Sequence, residues 1–159
     1  MDTLWAPWRA AYIRGKKSSS CIFCRSVASN PSGNYIVFKT GLSFCMLNTY
    51  PYNNGHVMVS PIRHTGSLES LTDEERNDLF ASAVRAKKLL DRVLKPHGYN
   101  LGINLGDVAG AGVPGHIHIH IVPRWKGDTN FMPAACKTKV ISQSLKELYA
   151  LLKNAESKK

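Results

Sequence analysis

The chain has 159 residues, of which 43% are hydrophobic and 20% charged, and its formal net charge is +10. This mixture excludes a disordered chain, and the length fits one domain of roughly 100–150 residues built around one core. The excess positive charge favours an anionic partner, which can be a phosphate compound, nucleic acid or an acidic surface.

The N-terminus lacks the basic start and apolar run of a signal peptide, and no stretch approaches the ~18 apolar residues of a membrane span. We therefore expect a cytoplasmic protein without a membrane partner. Residues 1–159 should form a single domain, with an N-terminal arm at 1–20 and a flexible tail at 154–159.

Cys21 and Cys24 form a pair separated by two residues near the N-terminus. Four cysteines without evidence of secretion favour metal binding or free thiols over disulfides, and Cys45 and Cys136 resemble ordinary thiols. A structural zinc site needs four nitrogen or sulfur ligands, and spacing alone does not identify the other two. The alternative is a reduced thiol pair on a loop. A thioredoxin-like role is disfavoured because no βαβ pattern surrounds the pair.

Three strands are predicted next, at residues 35–39, 43–47 and 56–60, divided by Gly41 and by the turn-rich segment 48–55. Short connections of this kind favour an antiparallel meander. The three strands should therefore be neighbours in one sheet.

A long helix follows, and Thr72 and Glu75 have the spacing of a capping box at its start. Pro96 and Gly98 end it. The helix should cover one face of the sheet with an apolar stripe, namely Leu79, Phe80, Ala83, Val84, Leu90 and Leu94.

The C-terminal half contains two more predicted strands and a helix. Residues 99–105 alternate, with apolar side chains on one side and Asn104 on the other. A glycine-rich loop at 106–115 leads into a strand at 116–122. A last helix at 142–153 carries an apolar stripe of Leu145, Leu148 and Leu152.

Three histidines alternate along the strand at 116–122. A period of two places His116, His118 and His120 on one face, and three isoleucines on the other. Three imidazoles about 6.6 Å apart are an unusual core, because every buried ring nitrogen needs a hydrogen-bond partner. Satisfied surface histidines are the minority interpretation.

Imidazole suits nucleotidyl transfer because its neutral form is nucleophilic. With a reference pKa of about 6.5, that form is available near physiological pH. We predict that His118 attacks phosphorus through one ring nitrogen while a backbone carbonyl fixes the other. His120 would stabilise charge at the phosphate. In the preceding loop, glycines let backbone N–H groups approach phosphate oxygens, although a plain hairpin loop has the same composition.

The run His116-Ile117-His118-Ile119-His120-Ile121-Val122 resembles the histidine-triad (HIT) family. The resemblance extends over most of the chain and includes Asn48, the dipeptide at 55–56, the segment at 61–64 and Asn104. Residues 4–9 and 123–131 are similar to the bacterial branch related to diadenosine tetraphosphate phosphorylases.

The resemblance implies an α+β fold with a five-stranded antiparallel sheet, one long and one C-terminal helix, and a homodimer. It also implies a nucleotidyl-His118 intermediate on an adenine nucleotide substrate, with structural zinc and without a catalytic metal or organic cofactor. The implied site residues fall into three groups: catalytic His116, His118 and His120; substrate-binding Asn48, Asn104, Gly110, Gly112, His120 and Trp125; and zinc-binding Cys21, Cys24, His64 and His116. Many relatives place serine or glutamine at Gly112, where this side chain contacts the leaving group.

The sequence thus predicts a nucleotidyl hydrolase or transferase that cleaves the α-phosphate linkage of dinucleoside polyphosphates. A nucleoside phosphoramidate hydrolase of the same family is one alternative. In another, the alternating histidines bind a hydrolytic zinc that activates water. A nucleotide-binding module without turnover is the third, and nucleic acid is disfavoured because no basic helix interleaved with aromatic residues is present.

Overall fold

The structure is a computed structural model and describes residues 20–129 and 140–158. The predicted N-terminal arm up to residue 19, the family-like segment at 4–9, Phe131 and Cys136 lie outside this part of the chain. In the described residues, no helix has the length and apolar character needed to span a bilayer.

Five strands and three α-helices make up the described fold. In chain order they are α1 (Ile22–Ala28), β1 (Ile36–Lys39), β2 (Ser43–Leu47), β3 (Val57–Pro61), α2 (Asp73–Leu94), β4 (Gly98–Ile103), β5 (Ile119–Arg124) and α3 (Leu145–Ser157). All strands pair antiparallel in the order β1-β2-β3-β5-β4. The α+β class, the five-stranded sheet and the meander of the first three strands are confirmed.

The larger core lies between one sheet face and the two long helices. It contains alternate residues of the strands, among them Val57, Ile119 and Ile121, and the inner sides of α2 and α3. The capping box that starts α2 is present, with Thr72 and Glu75 each bonded to the other's backbone N–H. Burying these apolar faces supplies the main driving force for folding.

Two residues assigned to the apolar stripe of α2 are exposed. Phe80 is 66% and Val84 41% exposed, whereas Leu79, Ala83 and Leu90 are buried as predicted. Positions 80 and 84 lie to the side of the buried stripe, on the flank that also carries Lys87 and Asp91. The stripe is therefore narrower than the composition of the helix indicated.

The C-terminal helix begins and ends later than predicted. A second capping box, between Ser144 and Glu147, sets its start after residue 144, and it continues to Ser157. Residues 154–157, expected in a flexible tail, are therefore helical. Leu148 and Leu152 are buried as the stripe required.

The strand that carries the histidines begins at Ile119, not at His116. Its neighbour β3 ends at Pro61, which has no N–H to continue the ladder. Residues 116–118 bond elsewhere instead, as Ile117 N–H donates to the Thr65 carbonyl at 2.7 Å. The alternation nevertheless persists, because Ile117 lies in the larger core.

Strand β4 forms one edge of the sheet and ends at Ile103, before the predicted Leu105. Leu101 and Leu105 are about half exposed, at 51% and 48%. The apolar side predicted for this strand is therefore only partly covered by the chain itself.

Candidate active site and metal centre

A smaller cluster covers the second face of the sheet. Helix α1 packs Phe23 against the apolar side chains of β1, β2 and β3, namely Ile36, Phe44, Met46 and Met58. The ring of Phe23 also contacts His116 and His118, with centroid separations of 5.1 and 4.7 Å. This helix was not predicted from the sequence, and only the alternative interpretation placed the cysteine pair on a loop. It places the histidines under an apolar cover.

The buried ring of His118 has a defined tautomer. Its Nδ1 lies 2.8 Å from the carbonyl oxygen of His116, and a carbonyl can only accept, so Nδ1 carries the proton. The lone pair is therefore on Nε2. Burial lowers the pKa of His118 below its ordinary value, which keeps the ring neutral at physiological pH. This is the carbonyl-fixed imidazole that the sequence predicted.

His120 has the opposite tautomer, because a fourth histidine orients it. The backbone N–H of Tyr52 donates to Nδ1 of His56 at 3.1 Å, so neutral His56 carries its proton on Nε2. That nitrogen lies 2.9 Å from Nδ1 of His120. His120 therefore accepts at Nδ1 and presents Nε2–H as a donor.

The rings of His118 and His120 are perpendicular neighbours, 4.8 Å apart between centroids. Burial, and secondarily the nearby His118, lower the pKa of His120 to about 4. The site thus combines one neutral nitrogen nucleophile with one neutral N–H donor. This pairing can attack a phosphorus atom and bind one of its oxygens.

His56 is a residue of the candidate site to which no role was assigned from the sequence. It directly precedes β3, and β3 pairs with β5 although the two are far apart in the chain. Chain order does not reveal this pairing. Its hydrogen bonds identify it as a positioning residue for His120.

The predicted substrate-binding residues occupy different parts of the site. Asn48 contacts Nδ1 of His56 through its amide nitrogen at 3.3 Å. Asn104 donates weakly to the carbonyl of Gly110, at 3.4 Å, which brings β4 and the glycine-rich loop together. Gly112 is exposed in the same loop, and half-buried Trp125 directly follows β5.

Four potential metal ligands converge beside the face that carries His118 and His120. Cys21, Cys24, His64 and His116 present Sγ and nitrogen atoms that all lie within 4.8 Å of one another. Sγ of Cys21 is 3.2 Å from Nδ1 of His116, and Nδ1 of His64 is 3.3 Å from the same Nδ1 atom. Tetrahedral zinc, with bonds of about 2.3 Å to sulfur and 2.0–2.1 Å to nitrogen, requires ligand separations of roughly 3.3–3.7 Å. The donor set fits such an ion.

Surrounding groups orient these ligands. Nε2 of His116 donates to the carbonyl of Pro61 at 2.9 Å, which leaves Nδ1 facing the thiols. Next to His64, Arg63 forms a bidentate ion pair with Glu75 at the start of α2. His118 and His120 do not belong to this group, so the alternating histidines do not form a common ligand set.

Comparisons with known proteins agree with this geometry. The model of the HIT domain family matches residues 31–127. A Mycobacterium tuberculosis protein named AP-4-A phosphorylase is 38% identical over 96% of this chain and 83% of its own length. A Schizosaccharomyces pombe protein named asymmetrical bis(5'-nucleosyl)-tetraphosphatase is 39% identical over 62% of this chain and 53% of its own.

Solved structures give the same result. A structure described as a Zn-bound histidine triad family protein from Mycobacterium smegmatis superposes with a TM-score of 0.70 and 27% identity. The match covers 89% of this chain and 96% of that one.

Proposed function

The chain belongs to the histidine-triad (HIT) family, and we propose that it cleaves dinucleoside polyphosphates at an α-phosphate by nucleotidyl transfer, with adenine nucleotides favoured. The observation that carries this proposal is the buried, neutral ring of His118, whose Nδ1–H is bonded to a carbonyl and whose lone pair is therefore on Nε2. The names of its relatives support the substrate class.

The reaction would proceed in two displacements at phosphorus. Nε2 of His118 forms a bond to the α-phosphorus while the bond to the bridging oxygen breaks, and the remaining polyphosphate leaves with that electron pair. Nε2–H of His120 stabilises charge on the phosphate. Water or inorganic phosphate then displaces His118 from the nucleotidyl intermediate, and the ring returns to its neutral form.

The remaining polar groups would position the substrate. Asn48 and Asn104 would contact the ribose and phosphates, and backbone N–H groups near Gly110 and Gly112 would approach phosphate oxygens. The exposed Gly112 offers no side chain to the leaving group. Trp125 would stack on a base or close the pocket of a partner subunit.

Zinc would be held by Cys21, Cys24, His64 and His116, whose ligand separations fit a tetrahedral ion. All four positions are then filled by protein, so the ion is structural. It supplies a crosslink between α1 and the segment that precedes β5, and the phosphoryl chemistry remains with His118 and His120.

We further propose that β4 is the centre of a homodimer. Its outer edge has no partner strand in the described chain, and Leu101 is half exposed on it. The hydroxyl of Tyr99 donates to Asp91, so the flank of α2 that carries Phe80 and Val84 faces the same side. Pairing two such edges would cover these apolar groups.

The first test is turnover of diadenosine tetraphosphate with and without inorganic phosphate, with products identified by mass. ADP formed only with phosphate indicates a phosphorylase, and AMP formed without it a hydrolase. His118→Ala should abolish turnover and the trapped nucleotidyl adduct while retaining bound zinc. Undiminished turnover by this variant would refute the mechanism, and activity confined to nucleoside phosphoramidates would refute the substrate class.

A further inference from the structure

A pocket of about 260 Å³ lies on the catalytic face beside His120. Its lining consists of Tyr52, Asn53, Asn100, Val122 and Arg124. Sites that enclose a drug-sized ligand hold about 300–1,000 Å³, so this pocket matches a single nucleobase better than a whole dinucleotide.

The pocket continues the line of the catalytic strand. Val122 follows His120 by two residues on the same face of β5, and Asn100 of β4 lies opposite Val122. Gly102 lies opposite His120, and the space above it is open. At about 3.3 Å per residue, Val122 is about 13 Å along the strand from His118. A polyphosphate that leaves His118 can therefore pass over Gly102 to the pocket.

Hydrogen bonds orient the amide of Asn53, which is buried. Its Nδ2 donates to the carbonyl of Pro123 at 3.0 Å and to Asp128 at 2.8 Å. Both partners are acceptors, so the two ends of the amide are unambiguous. Asn53 belongs to the lining of the pocket, and its Oδ1 therefore remains as an acceptor.

The amide of Asn100 has the complementary orientation. Its Oδ1 accepts from Nη1 of Arg124 at 2.8 Å, and an arginine can only donate. Nδ2 of Asn100 therefore remains as a donor. Asp128 forms a bidentate pair with Arg124, which neutralises the guanidinium. The pocket thus presents an acceptor and a donor rather than net positive charge.

The other walls provide surfaces for a planar ring. Tyr52 is 44% exposed, and its ring lies 5.6 Å from that of His120 between centroids. Val122 adds an apolar surface. Any base can stack on an aromatic side chain, so stacking does not distinguish adenine from guanine. Selectivity between bases must come from the amides of Asn53 and Asn100.

We propose that this pocket binds the base of the leaving nucleotide and selects adenine, a role that rests on the proposed function. The N6 amino group of adenine would donate to Oδ1 of Asn53, and a ring nitrogen would accept from Nδ2 of Asn100, as an amide reads adenine in DNA. Guanine carries the acceptor O6 where adenine has the N6 donor, so guanine in the same position cannot donate to Oδ1 of Asn53. The substrate is thus a dinucleotide whose leaving half carries adenine.

The test uses a mixed substrate, adenosine-guanosine tetraphosphate, and measures the released GTP:ATP ratio. Release of GTP means that guanine occupied the leaving position, and release of ATP means that adenine did. Asn100→Asp retains the acceptor for Arg124 but replaces the donor with a second acceptor, which suits N1–H and N2–H₂ of guanine. The ratio should rise about tenfold, and Asn100→Ala should raise it less.

Both products come from the same enzyme molecules, so partial loss of folded protein does not change the ratio. Asn154→Asp, the same chemical change on exposed α3, serves as the control and should leave the ratio unchanged. If both Asn100 variants give the ratio of the intact protein, the base pocket is refuted while the proposed function stands. If the intact protein does not cleave the mixed substrate or diadenosine tetraphosphate, the proposed function itself is refuted.

Discussion

The carbonyl of His116 accepts the Nδ1 proton of His118 at 2.8 Å, while the ring of His116 faces the two cysteines. One residue therefore connects the candidate metal centre to the candidate nucleophile. Its side chain would bind zinc and its backbone fixes the tautomer of the reacting ring. A change at the metal centre should therefore alter the rate of the reaction at His118.

Removal of zinc should reduce both stability and activity. With metal at 1,000 times its dissociation constant, binding stabilises the fold by about 4 kcal/mol, which chelation or Cys24→Ser would forfeit. Metal analysis, thermal unfolding and turnover measure the three effects. Added zinc should restore the chelated intact protein but not the variant. Unchanged unfolding after complete metal removal would contradict a structural role.

His56 should act through the tautomer of His120. His56→Leu removes the donor to Nδ1 of His120, and we expect kcat to fall about 10²–10⁴-fold. A glutamine can accept from the Tyr52 N–H and donate to His120, so His56→Gln should recover much of this loss. Steady-state kinetics with matched melting temperatures measure the effect. Equal kcat values for the two variants would argue against the positioning role.

Acid should destabilise the fold through His120. Its pKa is about 4 in the folded protein and about 6.5 when unfolded. Between these values the unfolded chain binds more protons, so this stability is fully present above pH 6.5 and is lost as the pH falls toward 4. The loss is of the order of 3 kcal/mol. Denaturant titrations across this range should show a shallower dependence for His120→Gln, and an identical dependence would exclude His120 as the source.

A charge on the edge strand should separate the proposed dimer. Light scattering of the intact protein should give twice the chain mass of 17.6 kDa. Leu101→Glu should give a monomer, because the introduced carboxylate would be buried without a partner. Leu151→Glu places the same charge on a similarly exposed leucine of α3 and should remain dimeric. A monomeric intact protein would refute the interface.

Local patterns were sufficient to predict most elements and the orientation of the histidines. The capping box at Thr72 and the period of two between His116 and His120 depend on neighbouring residues, and both are present in the structure. By contrast, the residue at which a strand begins depends on where its partner strand stops forming ladder hydrogen bonds. The start of β5 was therefore misplaced, because Pro61 belongs to a different part of the sequence.

Long-range pairing explains what the sequence did not reveal. The contact between His56 and His120 joins residues 64 positions apart, and it requires β3 and β5 to be neighbours. The zinc partners of the cysteines were inferred by resemblance and not from spacing, since Cys21 and His116 are 95 positions apart. The proposed base pocket likewise combines residues from a loop, from the edge strand β4 and from its neighbour β5.

Helix α1 has seven residues, and a helix of this length is not stable alone in water. Phe23 packs it into the smaller core, and a zinc ion bound by Cys21 and Cys24 would hold its first turn. We therefore expect α1 to open as a small cooperative unit whose opening free energy rises when zinc is bound. Amide hydrogen exchange in α1 should be accelerated by chelation while exchange in α2 is largely preserved. Zinc availability in the cell would then control how often helix α1 moves away from His118 and exposes it to solvent.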